Sequence, residues 1–273
     1  MGDPLPVTVT TAQSEPPRRK APRNVETRPD VRLAPPLILS PRRCLSTLRL
    51  TGADLQPAPT PIISRPSVRR GRQKDPAWGR LLSDGCAAAA SLPPGCRLSL
   101  PIEHAGPLPE DLLTRLTTAL TTHDFEANRL DLEFTEISLT EDTDTLFYSL
   151  AALRDVGVGL ILAGFGSGTS SLTLLRDRTF AGLLTGVKLD RHLFQTSDDE
   201  QQTVNRSMAH AIIRLASDMG LTTRADGVDT ADTLSFLQSI DCREGGGMAL
   251  GTAEPLPDFL RLYADENVSP LTT

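Results

Sequence analysis

The chain has 273 residues, a net charge of −6 at pH 7 and only 4% aromatic residues, a length that fits one large domain or two small ones around an aliphatic core. Its apolar runs fall far short of a bilayer span, which excludes a transmembrane helix. The start MGDPLPVTVT has no basic segment followed by an apolar one, so no secretory signal is read and a cytoplasmic location is expected. Cys44, Cys86, Cys96 and Cys242 lie far apart without metal-ligand spacing and read as reduced, mostly buried thiols.

Residues 1–36 are rich in Pro, Thr and Arg and poor in large apolar residues, so they read as a disordered tail. Basic clusters at Arg18–Arg32 and Arg65–Lys74 sit among prolines without interleaved aromatics, which favours solvated charge over a nucleic-acid surface. From Leu37 the texture changes. Leu37–Leu39 and Leu45–Leu50 read as short strands, Thr51-Gly52 as a turn, Ile62-Ile63 as another strand and Trp78–Ala90 as a helix between prolines.

A regular alternation starts at Cys96. Strands are expected at Arg97–Leu100, Leu130–Phe134, Val158–Leu162, Leu183–Leu189, Leu221–Ala225 and Cys242–Gly247. Helices are expected at Leu108–Thr121, Thr143–Val156, near Ser170–Arg176, at Thr230–Ser239 and at Leu256–Tyr263. The clearest helix carries Val204, Met208, Ile212, Leu215 and Met219 as its apolar face and stops at Gly220. Six strand–helix units with near-continuous apolar strands predict a modified TIM-like (β/α) barrel over residues 37–265, with 266–273 as a C-terminal tail. A Rossmann-type sheet fits less well: Gly164-Phe165-Gly166 lacks the third fingerprint glycine, and Gly245-Gly246-Gly247 opens no helix.

The stretch from Gly159 to Leu172 organises the chain: a buried strand, a glycine-rich turn, three small hydroxyl residues and a helix start. In parallel α/β folds the chemistry sits in loops at the carboxyl ends of strands. Yet the loop Ala163–Ser171 has no ionisable side chain. The neighbouring strand ends do: Leu132-Glu133-Phe134-Thr135-Glu136, Lys188-Leu189-Asp190-Arg191 and Ala225-Asp226-Gly227-Val228-Asp229-Thr230, followed by Gly247-Met248-Ala249-Leu250-Gly251.

Taken in order with Gly164-Phe165-Gly166 and Ser170-Ser171-Leu172, these motifs resemble the EAL domain family, the cyclic di-GMP phosphodiesterases. The resemblance spans roughly residues 97–260 and implies a modified TIM barrel that cuts a phosphodiester with two divalent metals, Mg²⁺ or Mn²⁺. It makes Glu133 a metal-binding glutamate and Glu136 the residue steadying the central loop, with Ser167, Thr169 and Ser170 as its hydrogen-bond partners. Lys188 takes the place of the lysine near the attacking water, with Asp190 beside it. Asp226 and Asp229 stand in for two glutamates.

The departures weigh more. The bridging aspartate pair is Ala163-Gly164, an asparagine position is Pro101, and a glutamine position is Gly246. Counted from Thr51-Gly52, the E-A-L-x-R signature falls at Pro61-Ile62-Ile63-Ser64-Arg65 and keeps only the arginine. No resident metal or other cofactor is therefore expected, and Glu133, Lys188, Asp190, Asp226 and Asp229 read as a vestigial ion-pair network. Arg65 and Lys188 remain as candidate phosphate contacts. His104, His123, His192 and His210 lack partners at ligand spacing. The expected function is a catalytically silent regulator or scaffold working through a protein partner, with a homodimer among the pairings. The alternatives are a cyclic di-GMP receptor and an active phosphodiesterase with substituted ligands; no membrane or nucleic-acid partner is expected.

Overall fold

A computed structural model describes residues 37–56, 77–102, 111–135, 143–166, 171–196 and 198–266. All of them fall in the compact unit Pro35–Thr273. The expected tail 1–36, the Ile62-Ile63 strand and residues 267–273 lie outside the described set.

Two strands open the fold, β1 (Ile38–Cys44) and β2 (Leu50–Gln56), joined by a turn and paired antiparallel. This corrects the expectation of a strand at Leu45–Leu50 and a turn at Thr51-Gly52. Leu48 adopts φ +57 inside the turn, and Thr51-Gly52 belongs to β2. Helix α1 (Ala77–Ala89) leads to β3 (Arg97–Pro101), α2 (Leu112–Thr122), β4 (Leu130–Thr135), α3 (Thr143–Val156) and β5 (Gly159–Phe165). Short helices α4 (Ser171–Arg176) and α5 (Arg178–Ala181) precede β6 (Gly186–Leu189), α6 (Asp199–Asp218), β7 (Thr222–Ala225) and α7 (Ala231–Ser239). The chain closes with β8 (Glu244–Gly245), β9 (Glu254–Pro255) and α8 (Leu256–Tyr263).

Strands β2 to β8 run parallel in chain order, and β1 sits antiparallel between β8 and β2, closing an eight-stranded barrel. The expected TIM-like barrel is present, modified by its antiparallel first strand. No helix among the described residues is long and apolar enough to cross a membrane.

The strands are not continuously apolar, as the sequence reading had them. They alternate. Leu98 and Leu100, Leu130, Leu132 and Phe134, Leu160 and Leu162, and Val187 and Leu189 are buried in one apolar core with helix residues such as Leu82, Leu116, Leu150 and Ile213. The residues between them, Ser99, Asp131, Glu133 and Lys188, bond to one another and to Arg224 of β7 across the barrel. Successive strand residues face opposite sides, so the apolar layer lies between sheet and helices while the barrel's interior is charged. TIM barrels ordinarily fill that interior with branched aliphatic side chains.

Helix α6 corrects a second expectation. Asp198 caps it by accepting from the backbone N–H of Gln201 at 3.0 Å. Its buried residues are Asn205, Ala209, Ile212, Ile213 and Ala216, whereas Val204, Met208, Leu215 and Met219 are exposed. Of the five residues assigned to the apolar face, only Ile212 faces the barrel. Alanines on the buried face let the helix approach the sheet closely, so the larger apolar residues are left outside.

Candidate functional site

At the carboxyl ends of the strands, four elements bring charged side chains together. Lys188 on β6 donates from Nζ to Asp54 Oδ2 at 2.8 Å and to both Glu133 carboxylate oxygens at 3.1 Å. The Ser99 hydroxyl donates to Glu133 Oε1 at 2.5 Å, and Arg42 Nη1 donates to Asp54 Oδ1 at 2.5 Å. Burial works to lift the Asp54 carboxyl, but Lys188 and then Arg42 outweigh it and hold it down at about 2. Burial pulls the Lys188 ammonium down, and Asp54 followed by Glu133 raise it above the ordinary lysine range.

Asp54 was missed in the sequence. The signature acid was sought at Pro61–Arg65, a stretch outside the described residues, whereas β2 already offers a carboxylate to the mouth at its own end. The signal was present: the strand Leu50-Thr51-Gly52-Ala53-Asp54-Leu55-Gln56 carries an acid among apolar and small residues. The other predicted residues divide. Asp226 receives Arg191 Nε at 3.4 Å and the Gly227 N–H at 2.9 Å. Asp190 caps the turn after β6 by accepting the His192 N–H at 2.9 Å. Asp229 is used structurally, with Oδ1 accepting the Met248 N–H at 2.9 Å and Oδ2 accepting Gln195 Nε2 at 3.1 Å. Arg65, Glu136, Ser167, Thr169 and Ser170 fall outside the described residues.

Pro101, Ala163, Gly164, Glu133, Lys188 and Asp226 line one cavity of about 290 Å³ among the described residues. Gly246 is at the same mouth: a Cβ built there would stand 4.0 Å from Asp54 Oδ2. Every position read as a lost ligand within the described set therefore lies where a side chain would reach the site. A pair of divalent cations does not fit what remains. Asp54 and Glu133 are bound to Lys188, Asp226 faces Arg191, and no group of three or more His, Cys, Asp or Glu residues among those described could hold a metal ion.

Below this mouth the network continues. Arg224 donates to Glu244 Oε2 at 2.8 Å and to Asp131 Oδ2 at 2.7 Å, and Arg97 forks onto Asp131. Arg42 stands between the two levels, 3.5 Å from Asp131 and 3.4 Å from Glu244. These interior charges were not singled out in the sequence.

A parallel barrel closed by an antiparallel first strand, with carboxylates and a lysine at its carboxyl mouth, defines a modified TIM-like barrel with a charged site at the strand ends. The EAL domain family model matches residues 79–253, more than half of the chain, and the chain belongs to that family. The match starts after β2, so the strand carrying Asp54 is not part of it.

A curated relative, the cyclic di-GMP phosphodiesterase PA2567 of Pseudomonas aeruginosa, is 36% identical over 143 residues, covering 51% of this chain and 23% of that protein. The chain thus spans about a quarter of that relative's length. Among solved structures, the EAL domain of Mycobacterium smegmatis DcpA aligns with a TM-score of 0.68 at 20% identity, covering 86% of this chain and 98% of that one. The manganese and cyclic di-GMP complex of Klebsiella pneumoniae BlrP1 aligns with a TM-score of 0.62 at 21% identity, covering 86% of this chain and 58% of the other. At those identities the structures establish the shared fold.

Proposed function

We propose that this chain is an EAL-domain protein of cyclic di-GMP signalling that does not cut the dinucleotide and acts as a regulator or scaffold through contacts with another protein. The observation that carries the reading is the cavity beside Glu133 and Lys188, where Ala163 and Gly164 offer no side-chain oxygen to a metal. BlrP1 is described as a complex with manganese and cyclic di-GMP. Here a tethered cation already holds the two buried carboxylates, and Pro101, Ala163, Gly164 and Gly246 add no oxygen ligand. A divalent ion would have to displace Lys188 and leave it buried without a partner, which costs several kcal/mol.

The same geometry weighs against tight binding of the dinucleotide. Lys188, one of the two retained phosphate candidates, is spent on carboxylates. Asp226 would meet the ligand's own negative charge. The cavity of about 290 Å³ is at the lower end of the range that holds drug-sized ligands, and a cyclic dinucleotide is larger.

One observation favours a second reading. Asp54 returns an acid to the mouth beside Glu133, where an active phosphodiesterase would need one. A single set of assays separates the readings. The full chain is incubated with cyclic di-GMP and Mg²⁺ or Mn²⁺, and the same mixture is titrated by calorimetry with and without metal. No linear product and no micromolar binding (about −8 kcal/mol) are expected. Metal-dependent turnover that disappears in Glu133→Ala would establish the phosphodiesterase. Metal-independent micromolar binding lost in Lys188→Ala would establish the receptor.

A further inference from the structure

The opposite, amino-terminal end of the barrel holds a much larger cavity, about 1200 Å³, that reaches the interior as far as Asp131, Ile161 and Arg224. Barrel floors are normally plugged by bulky side chains. Here β5 and β6 begin with Gly159 and Gly186. A Cβ on Gly159 would collide with Asp131, and one on Gly186 would stand 2.6 Å from the Thr222 carbonyl oxygen. The glycines make room for the Arg97–Asp131 pair and leave the floor open.

The lining is cationic on an acidic protein. Arg97, Arg154, Arg224 and Arg243 face Asp131 and Asp241, four guanidiniums against two carboxylates. Arg97 and Arg224 are paired with Asp131 and Glu244, so the charge that the lining leaves over does not come from them. Arg154 is the distinctive member. It donates to the Val158 carbonyl at 2.8 Å, which satisfies one N–H and neutralises no charge. Arg97 is partly open to solvent, with a quarter of its side chain exposed. The planar guanidinium fork suits oxyanions in particular.

We propose that this amino-end cavity binds a small molecule carrying an oxyanion, a phosphate ester or a carboxylate, with Arg154 and Arg97 as its charge contacts. The cavity exceeds what a bare ion fills, and its hydroxyl lining from Thr51, Thr185 and Thr222 can hydrogen-bond the remainder of such a molecule. The site is at the other end of the barrel from the carboxylate mouth, so it stands or falls independently of the proposed function.

Cys44 provides the readout. It lines this cavity and is the one cysteine of four that is not buried. Burial raises its thiol, but hydrogen bonds with Ser46 and Thr47 together set it below the ordinary value, whereas burial pushes Cys86 and Cys242 up to about 12. N-Ethylmaleimide, a neutral reagent, therefore labels Cys44 first. The labelling rate of the full chain is measured in inorganic phosphate, in citrate and in sodium chloride at matched ionic strength.

At about 10 mM anion, a millimolar site slows labelling by about tenfold, since the free fraction falls as 1 + [L]/Kd. Slowing by phosphate alone assigns a phosphate ester, and slowing by citrate alone a carboxylate. Arg154→Gln, with its fold checked by circular dichroism, should return the rate to within about twofold of the anion-free value. If that variant does not fold, Arg154→Lys replaces it and should weaken protection severalfold. No slowing by either anion, equal slowing by chloride, or protection unchanged in the folded variant overturns the proposal.

Discussion

Replacing Lys188 with Met removes the cation held between Asp54 and Glu133 while nearly keeping the volume of the side chain. The carboxyl of Asp54 moves from 3.8 to about 2 in the folded protein, which is worth about 2 kcal/mol at neutral pH. Lys188 leads Arg42 among the groups that favour the charged form. Its loss removes the larger share of that stabilisation and leaves Glu133 with the Ser99 hydroxyl as its remaining partner. Breaking a buried ion pair by deleting one partner costs about 3–5 kcal/mol, so Lys188→Met should lose about 3 kcal/mol in urea denaturation at pH 7.5. The deficit should shrink at pH 4.5, because Asp54 of the variant, without Lys188, then takes up protons while Asp54 of the parent stays ionised. A loss below about 1 kcal/mol at pH 7.5, or a deficit that is the same at both pH values, would show that Lys188 is not what neutralises the mouth.

Asp54 and Asp131 both have folded pKa values depressed below their unfolded ones, so the stability they supply is present above the unfolded value near 4 and is lost as pH falls through the folded value. Lowering the pH from 6 to 3 should therefore cost about 1 kcal/mol through Asp54 alone, and a urea midpoint that is flat across this range would contradict it. Arg224→Ala removes the closest partner of Glu244 and one of the partners of Asp131 in the interior, leaving Arg42 and Arg97, and should cost about 3 kcal/mol, read as a fall in Tm; a change within about 1 kcal/mol would mean that the remaining guanidiniums or water from the amino-end cavity satisfy the carboxylates. In limited proteolysis trypsin should cut between Arg18 and Arg32 first and leave a stable fragment that includes the barrel, and resistance of those sites would place the start of the folded unit earlier.

The order of elements was legible because each strand–helix unit carries its own punctuation, such as Gly157 after α3 and Gly220 after α6, both at positive φ. The mouth was legible where a motif ends a strand: Glu133, Lys188 and Asp226 were placed at one site from sequence, and all three line one cavity. What stayed hidden depended on partners distant in the chain. Arg42 finds Asp131 and Glu244 only after the barrel closes. The alternation in Leu130-Asp131-Leu132-Glu133-Phe134 and Val187-Lys188-Leu189 was available, but a parallel strand in a barrel is expected to be apolar on both faces, and that expectation overrode the period-two signal. The exposed stripe of α6 was hidden for another reason: spacing alone does not tell a helix's buried face when alanines line that face and valine, methionine and leucine line the other.

The interior network also bears on the proposed loss of metal binding. Arg42 contacts Asp54 at the carboxyl end and Asp131 and Glu244 below it, so one guanidinium ties the site to the floor of the barrel. Counted together, Arg42, Arg97, Lys188 and Arg224 balance Asp54, Asp131, Glu133 and Glu244, four charges against four. Two divalent cations at the mouth would add four positive charges to a buried network whose charges already balance, where charge is more costly than in water. A mouth that recruits metals needs an excess of carboxylate, and the changes at Ala163 and Gly164 remove just that excess while Lys188 remains. Restoring acids at these two positions alone would supply charge to the mouth, but Asp54 would still be held from below by Arg42 and from the side by Lys188. On the proposed reading, the barrier to metal is therefore a property of the whole interior charge balance rather than of two missing ligands.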